Sequence, residues 1–415
     1  MLQRREFLKK ASLIAIAPLV PGFVYQTAKA AENGKDTILV IIEMTGGNDG
    51  LNTVIPYTND TYYKLRPTLG IPKTLAVKFN DELGLNPGLR GLDPLIKRGE
   101  VSIIQGVGYP NPDRSHFESM DRWQAGEVTA KVSGTGWLAK SVPDLQKGSD
   151  GSVPVMHIGS EKLPLACRGT TQGVFTINQQ QPFELKLGLS GSAQESARKR
   201  LLEEVSATNS KTDSELLPFV QRRHLQTYLS VEKLKEVLKT KSSDNPFNNT
   251  PNQPNTLLQK MDLVARLIEK GFGTRVFYMA IDGFDTHAAQ AQPHQNLLQQ
   301  IGDAISVLFT RLKASGDDQR TLVMTFSEFG RRADENGSKG TDHGSGSSMF
   351  VVGPGVKGVA VGKHPSLTEL DQGDLKYHTD FRRVYATLLD GWLKCDSKTV
   401  LQDQFEHLEL LKKRG

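Results

Sequence analysis

The residue pattern predicts a doubly wound, mostly parallel α/β sheet with a helical insertion. Three observations carry that reading. Five short apolar runs, at 37–43, 101–106, 275–281, 321–326 and 349–352, are β-branched and continuous rather than alternating, as strands buried on both faces are. Amphipathic helical stripes lie between them. Dense polar clusters follow four of the runs directly, where parallel strands would deliver them all to one sheet edge.

The first thirty residues stand apart from that core. Arg4 and Arg5 precede Phe7 and Leu8, an apolar run at 11–20, and then Ala28-Lys29-Ala30. A basic start, a modest apolar stretch and a small-residue cleavage pattern make an export signal of the twin-arginine type over 1–30. It implies the Tat export machinery as a partner and a periplasmic or extracellular destination for residues 31–415. The competing reading is a membrane anchor, but Pro18 and Pro21 interrupt the run, which falls short of the ~20 apolar residues a spanning helix needs. This segment carries +4 of the chain's net charge of +5. The mature part is therefore near neutral, and no basic stripe remains to argue for nucleic acid.

Beyond residue 31 the elements read in order. The run at 37–43 ends in a Gly-rich loop, and 101–106 leads to a segment with a helix-start pattern at Ser115. The stretch at about 190–256 is charged, helix-prone and poor in strand residues, and its 242–256 end reads as an exposed loop. It is taken as a helical insertion on a single domain spanning 31–415. Leu258, Met261, Val264, Ala265 and Ile268 form one helical stripe stopped by Gly271. Leu297, Leu298, Ile301, Ala304, Ile305, Leu308, Phe309 and Leu312 form another, stopped by Gly316. Strand 275–281, helix 293–314 and strand 321–326 have the lengths of a right-handed βαβ unit. A last helix uses Phe381, Val384, Tyr385, Leu388, Leu389 and Trp392. Cys167 and Cys395 are far apart in sequence and could bridge or stay as two structural thiols; no metal-finger spacing exists.

The polar clusters carry the chemistry. Gly46-Gly47-Asn48-Asp49-Gly50-Leu51-Asn52 follows the first strand, and Asp113-Arg114-Ser115-His116-Phe117 follows the second. Asp282-Gly283-Phe284-Asp285-Thr286-His287 follows the strand at 275–281. Ser327-Glu328-Phe329-Gly330-Arg331-Arg332, then Gly340-Thr341-Asp342-His343-Gly344, follow 321–326. Open α/β sheets bind ligands outside the carboxyl ends of their strands. Carboxylates beside neutral imidazoles, with no thiolate among them, suit a divalent metal ion such as Zn, Mn, Fe, Mg or Ca. Asp49, Ser115, Asp285, His287, Glu328 and His343 are expected together at that edge. Ser115 also opens an S-x-x-E pattern, a capping box. His116 could orient Ser115 or cap the same helix, and Arg114, Arg331 and Arg332 could grip an oxyanion. Asn48 and Asn52 could position substrate or brace their loop.

GGNDGLN, RSHF, GFDTH, SEFGRR, GTDHG and YHTDFRRVYATLLDGWL, spread over nearly the whole mature chain, resemble the exported domain-of-unknown-function 1501 family, related to the alkaline phosphatase and sulfatase superfamily. That resemblance implies an alkaline-phosphatase-like fold and a metal-dependent hydrolase of phosphate or sulfate esters. It implies a metal carboxylate at Asp49, a nucleophile at Ser115 with Arg114 and His116 beside it, and metal ligands at Asp282 or Asp285 with His287. The superfamily's strand-end Asp-His pair is absent. Either Glu328 replaces the aspartate with His343 as the downstream ligand, which is the favoured reading, or Asp342 and His343 supply the pair. Asn48, Asn52 and Arg331 would contact substrate, an ester or polymer. Ser115 lacks the C-x-P-x-R setting of a sulfatase nucleophile. The second class of function is a noncatalytic exported protein that keeps the fold and binds an ion or a polymer.

Overall fold

A computed structural model describes residues 36–129, 131–147, 153–159, 162–169, 174–177 and 256–413. The export signal expected over 1–30 and the helical insertion expected at about 190–256 fall outside the described residues but for the last residue of the latter range. A central sheet of nine strands organises the rest: β1 (Ile38–Thr45), β2 (Val101–Gly108), β3 (Val155–Ile158), β4 (Val174–Ile177), β5 (Val276–Asp282), β6 (Thr321–Phe326), β7 (Ser347–Val352), β8 (Ala360–Val361) and β9 (Thr379–Asp380). Their order is β8-β2-β7-β6-β1-β5-β3-β4, with β9 paired to β2. Every pairing is parallel except the two that β7 makes, antiparallel to β2 and β6. β7 therefore starts at the edge where its neighbours end, and the loop before it joins the loops after them.

β1 shows why the strands read as unbroken apolar runs. Val40 and Ile42 pack on one side with Leu258, Val264, Ile301 and Leu308. Leu39 and Ile41 pack on the other with Trp123, Trp137, Tyr385 and Trp392. All four β1 residues are fully buried, and each such burial contributes ~1.5–3 kcal/mol. The first layer consists of α3 (Thr256–Glu269) and α4 (Ala291–Leu312). The second holds α1 (His116–Ala125), α2 (Trp137–Leu145) and α5 (Phe381–Leu388). Two covered faces require apolar side chains at consecutive positions, which produces the pattern read from sequence.

The predicted βαβ unit is present as β5-α4-β6, but its strands flank β1 rather than touch. β3 and β4 escaped the sequence reading because each is only four residues long and is interrupted by a polar residue, His157 and Thr176. A small three-stranded sheet, formed by Val54–Ile55, Gly84–Leu85 and Val77–Lys78, sits beside the first loop. Cys167 and Cys395 are buried free thiols. Among the described residues, no helix is long and apolar enough to cross a membrane.

Candidate metal centre

The loops at the carboxyl edge approach closely because two glycines allow it. Gly46 has φ +115, and a Cβ there would lie 2.5 Å from the Asp285 amide nitrogen. A Cβ on Gly340 would lie 2.2 Å from the His287 carbonyl carbon. The loop after β1 thus rests on the loop after β5, which in turn rests on the loop before β7. Within the last of these, Gly344 N donates to Gly330 O at 2.9 Å and Gly330 N donates to Ser345 O at 3.0 Å.

Three imidazoles and one carboxylate meet where the loops join. His116, Asp285 and His343 place one potential ligand atom each within 4.8 Å of the others. Around Asp285 Oδ1 stand His287 Nε2 at 3.0 Å, His343 Nε2 at 3.2 Å and His116 Nε2 at 3.5 Å. His287 Nε2 and His343 Nε2 are 3.0 Å apart. The Phe329 ring packs 4.9 Å from both His116 and His343, fixing the rings from below. Asp285 and His287 are half-exposed, and His343 and His116 less so.

The far side of each ring is committed to an acceptor. His116 Nδ1 lies 2.8 Å from Glu328 Oε1, His343 Nδ1 lies 2.9 Å from the Arg114 carbonyl, and His287 Nδ1 lies 3.3 Å from Asp342 Oδ1. An acceptor at Nδ1 favours the neutral tautomer with its proton there, in which the Nε2 lone pair points at the centre. Three lone pairs and a carboxylate oxygen then face one another. His116 Nε2 is buried with no hydrogen-bond partner, an orphan that a cation would satisfy. Partial burial by itself raises the Asp285 carboxyl, but the Arg331 guanidinium at 2.6 Å, and His343 and His287 whenever they carry a proton at Nε2, bring it down to about 2. The hydrogen bond that His116 donates to Glu328 raises its pKa against the opposing effect of burial. Asn336 first, then His287, lower Asp342 despite its partial desolvation.

Several sequence expectations need correction. Asp49 is fully buried and forms a bidentate ion pair with Arg66, Nη1 to Oδ2 at 2.6 Å and Nη2 to Oδ1 at 3.2 Å, while capping the short helix Gly50–Thr53. Its carboxylate is consumed there. Burial would raise its pKa, but the Arg66 charge and hydrogen bonds lower it. Glu328 is fully buried and accepts from His116, the Gly46 amide and the Ser327 hydroxyl, so it stands behind His116 rather than beside the open centre. Asp342 likewise stands behind His287. Asp282 turns back onto the Gly283 amide at 2.7 Å; it is Asp285 that meets the histidines.

Asn48 and Asn52 are buried braces. Asn48 Oδ1 meets His294 and Thr53, and Asn52 bridges the Leu69 carbonyl and the Tyr62 hydroxyl. Arg331 spends its guanidinium on the carbonyls of Gly46, Gly47, Phe284 and Thr341 as well as on Asp285, with no side-chain exposure. Arg114 is drawn to Asp374 at 2.8 Å, and Arg332 bonds the Gln372 carbonyl. Ser115 stands at the N-cap of α1, but its hydroxyl makes no cap bond. Instead Asp113 Oδ1 accepts the Ser115 amide at 2.8 Å, so the expected capping box does not form. His116, read as a companion of Ser115, belongs with His343 and Asp285. Its position after a strand, equivalent to those of the other residues of the cluster, was the available signal.

The fold and this edge define a mixed α/β protein with a histidine-rich centre at the carboxyl ends of its strands. The chain belongs to the family described as protein of unknown function DUF1501, whose model matches residues 103–401. No curated protein matches it. Among solved structures it is similar to a protein of the alkaline phosphatase superfamily from Vibrio parahaemolyticus, at 10% identity over 91% of this chain and 76% of that one, with a TM-score of 0.34. It is similar to alkaline phosphatase from the Antarctic bacterium TAB5, at 12% identity over 77% and 93%, with a TM-score of 0.30. It is also similar to the C-terminal periplasmic domain of EcEptC from Escherichia coli in complex with Zn, at 10% identity over 77% and 74%, with a TM-score of 0.31.

Proposed function

We propose that this chain is an exported, metal-dependent hydrolase of phosphate or sulfate esters. The observation that carries the reading is the convergence of three Nε2 atoms on Asp285 Oδ1, each ring held by an acceptor at Nδ1. Acceptors behind metal-binding histidines set the tautomer and raise ligand basicity. His116, Asp285, His287 and His343 would hold the ion. A donor set rich in imidazole and lacking thiolate favours zinc or a neighbouring transition metal over Mg or Ca. When bound, the ion would supply Lewis-acid polarisation of an ester oxygen.

The chain's own residues support the rest of the reading. Ser115 is exposed at the N-terminus of the ten-residue α1, next to His116, with its hydroxyl free of any cap bond. It is the candidate nucleophile, and the helix N-terminus favours negative charge there. Arg331 fixes Asp285 as an anion and braces three loops. The twin-arginine pattern at Arg4 and Arg5 supports export. One observation favours the noncatalytic alternative: the Arg331 guanidinium is wholly engaged inside the protein and offers nothing to a substrate oxyanion.

Elemental analysis of the purified mature protein, followed by a screen of phosphomonoesters, phosphodiesters and sulfate esters, tests the proposal. Ser115→Ala should keep the metal and the fold, because no cap bond is lost, and should abolish turnover. A Ser115→Ala protein that hydrolyses the same ester at the wild-type rate removes Ser115 from the mechanism. A metal-loaded wild type inactive on every ester class transfers the weight to the binding-protein reading.

A further inference from the structure

Gln290 lies outside every motif read from the sequence, yet it joins the two halves of the histidine centre. It immediately precedes α4 and is fully buried. Its amide nitrogen donates to Asp49 Oδ2 at 2.5 Å. Its amide oxygen accepts from the Thr286 hydroxyl at 3.0 Å and from the Thr341 hydroxyl at 2.6 Å. Thr286 stands between Asp285 and His287, and Thr341 directly precedes Asp342 and His343. One amide oxygen therefore ties together the loop after β5 and the loop before β7.

The direction of that amide is not free. Asp49 is ionised by its pairing with Arg66, so it can only accept, and the Gln290 nitrogen must face it. The oxygen is then left for the two hydroxyls. Arg331 also joins these loops from a buried position, through Asp285 and the Phe284 carbonyl, and the histidines touch across them; Asn336, whose amide reaches the His287 carbonyl and Asp342 Oδ1 at 3.0 Å each, does so from an exposed position. A buried network fixes geometry more firmly than an exposed one, because its members have no water to turn to. We propose that Gln290 is a positioning residue, setting the separation of Asp285 and His287 from His343, and that Asp49 fixes the sense of its amide. The carboxylate that sequence places on the ion would thus act two bonds further back.

The effect on an ion rests on the metal-centre reading above, and the test separates the two claims. Mature wild type, Gln290→Glu, Asp49→Asn and the double variant are titrated with Co²⁺, following visible absorption and affinity. Gln290→Glu sets two carboxylates against each other and should alter the Co²⁺ spectrum and weaken affinity tenfold or more. In the double variant the amide and the carboxylate exchange places, so both readouts should return toward wild type. Should Gln290→Glu fail to fold, Thr341→Val, which removes one of the two hydroxyls, should shift the spectrum in the same direction by less. Variants that lower the melting temperature but leave the spectrum and affinity of the folded protein unchanged overturn the proposal. If wild type takes no Co²⁺, the metal reading fails, and the positioning claim is read from the imidazole ¹⁵N shifts of His287 and His343. Those should move in Gln290→Glu and recover in the double variant; unmoved shifts overturn it.

Discussion

Asp49 and Asp285 make an instructive pair. Each follows a strand of the same mostly parallel sheet, in a loop rich in glycine and polar residues, and in sequence the two are near equivalents. Asp49 sits in a closed pocket, with Arg66 on both its oxygens and no exposure on either side chain. Asp285 is half-exposed, and three imidazole nitrogens crowd one of its oxygens. A carboxylate closed in by a guanidinium on both oxygens has no place for an ion. One that opens to solvent and to three imidazole nitrogens keeps room for a cation. The partner, not the loop, decides which aspartate can serve a metal.

The comparison breaks most readily at Arg66. Replacing it by leucine leaves Asp49 buried and unpaired, a change that costs about 3–5 kcal/mol. It also frees the Arg332 and Ala333 carbonyls that Arg66 now binds. The urea midpoint should fall accordingly. A fall below 1 kcal/mol would mean that Asp49 is less committed than its geometry shows.

Next in size is a pH effect from the same pocket. His294 is fully buried, and burial pushes its pKa down to about 4, outweighing the attraction of Asp49. Between about 6.5 and about 4 the unfolded chain takes a proton that the folded one refuses. Stability should therefore fall as the pH drops through that window, by ~3 kcal/mol for a shift of this size. The Asp49 contribution has the opposite origin. Its lowered pKa stabilises the fold above the ordinary carboxylate range, and that stability is lost only at still lower pH, as the folded-state value is crossed. Denaturation curves at pH 7 and 4.5 for wild type and His294→Gln should show the slope in wild type and a flatter profile in the variant.

At the open centre the effects should appear in metal affinity rather than stability. Glu328→Gln keeps the shape but removes the charge behind His116, and loss of such a partner lowers affinity by roughly 10–100-fold. Equilibrium dialysis against zinc measures this directly. Unchanged affinity would place His116 outside the ligand set.

The sheet was legible because burial on both faces leaves a plain mark. Residues 38–42 of β1 are apolar at every position, and so are the centres of β5 and β6. β3 and β4 left no such mark, being short and embedded in polar sequence. The antiparallel course of β7 was invisible as well, since a strand's direction relative to its neighbours is set by tertiary pairing. Within the centre, Asp285, His287 and His343 were legible from their setting at strand ends. His116 was harder to place, because a local window shows a helix start, while its ring is directed by Glu328, 212 residues away. Asp49 was misplaced for the same reason: Arg66 reaches it only through the fold. Gln290 left no signal at all, since a buried amide between two threonines looks like any polar residue before a helix.

The central claim is that His116, His287, His343 and Asp285 form one metal centre. X-ray absorption spectroscopy at the zinc edge of the zinc-loaded mature protein tests it most directly, compared with His343→Ala. Wild type should show three imidazole ligands and an oxygen shell, and the variant should show one imidazole fewer with weaker zinc retention. A spectrum without imidazole scattering, or one that His343→Ala leaves unchanged, would contradict it.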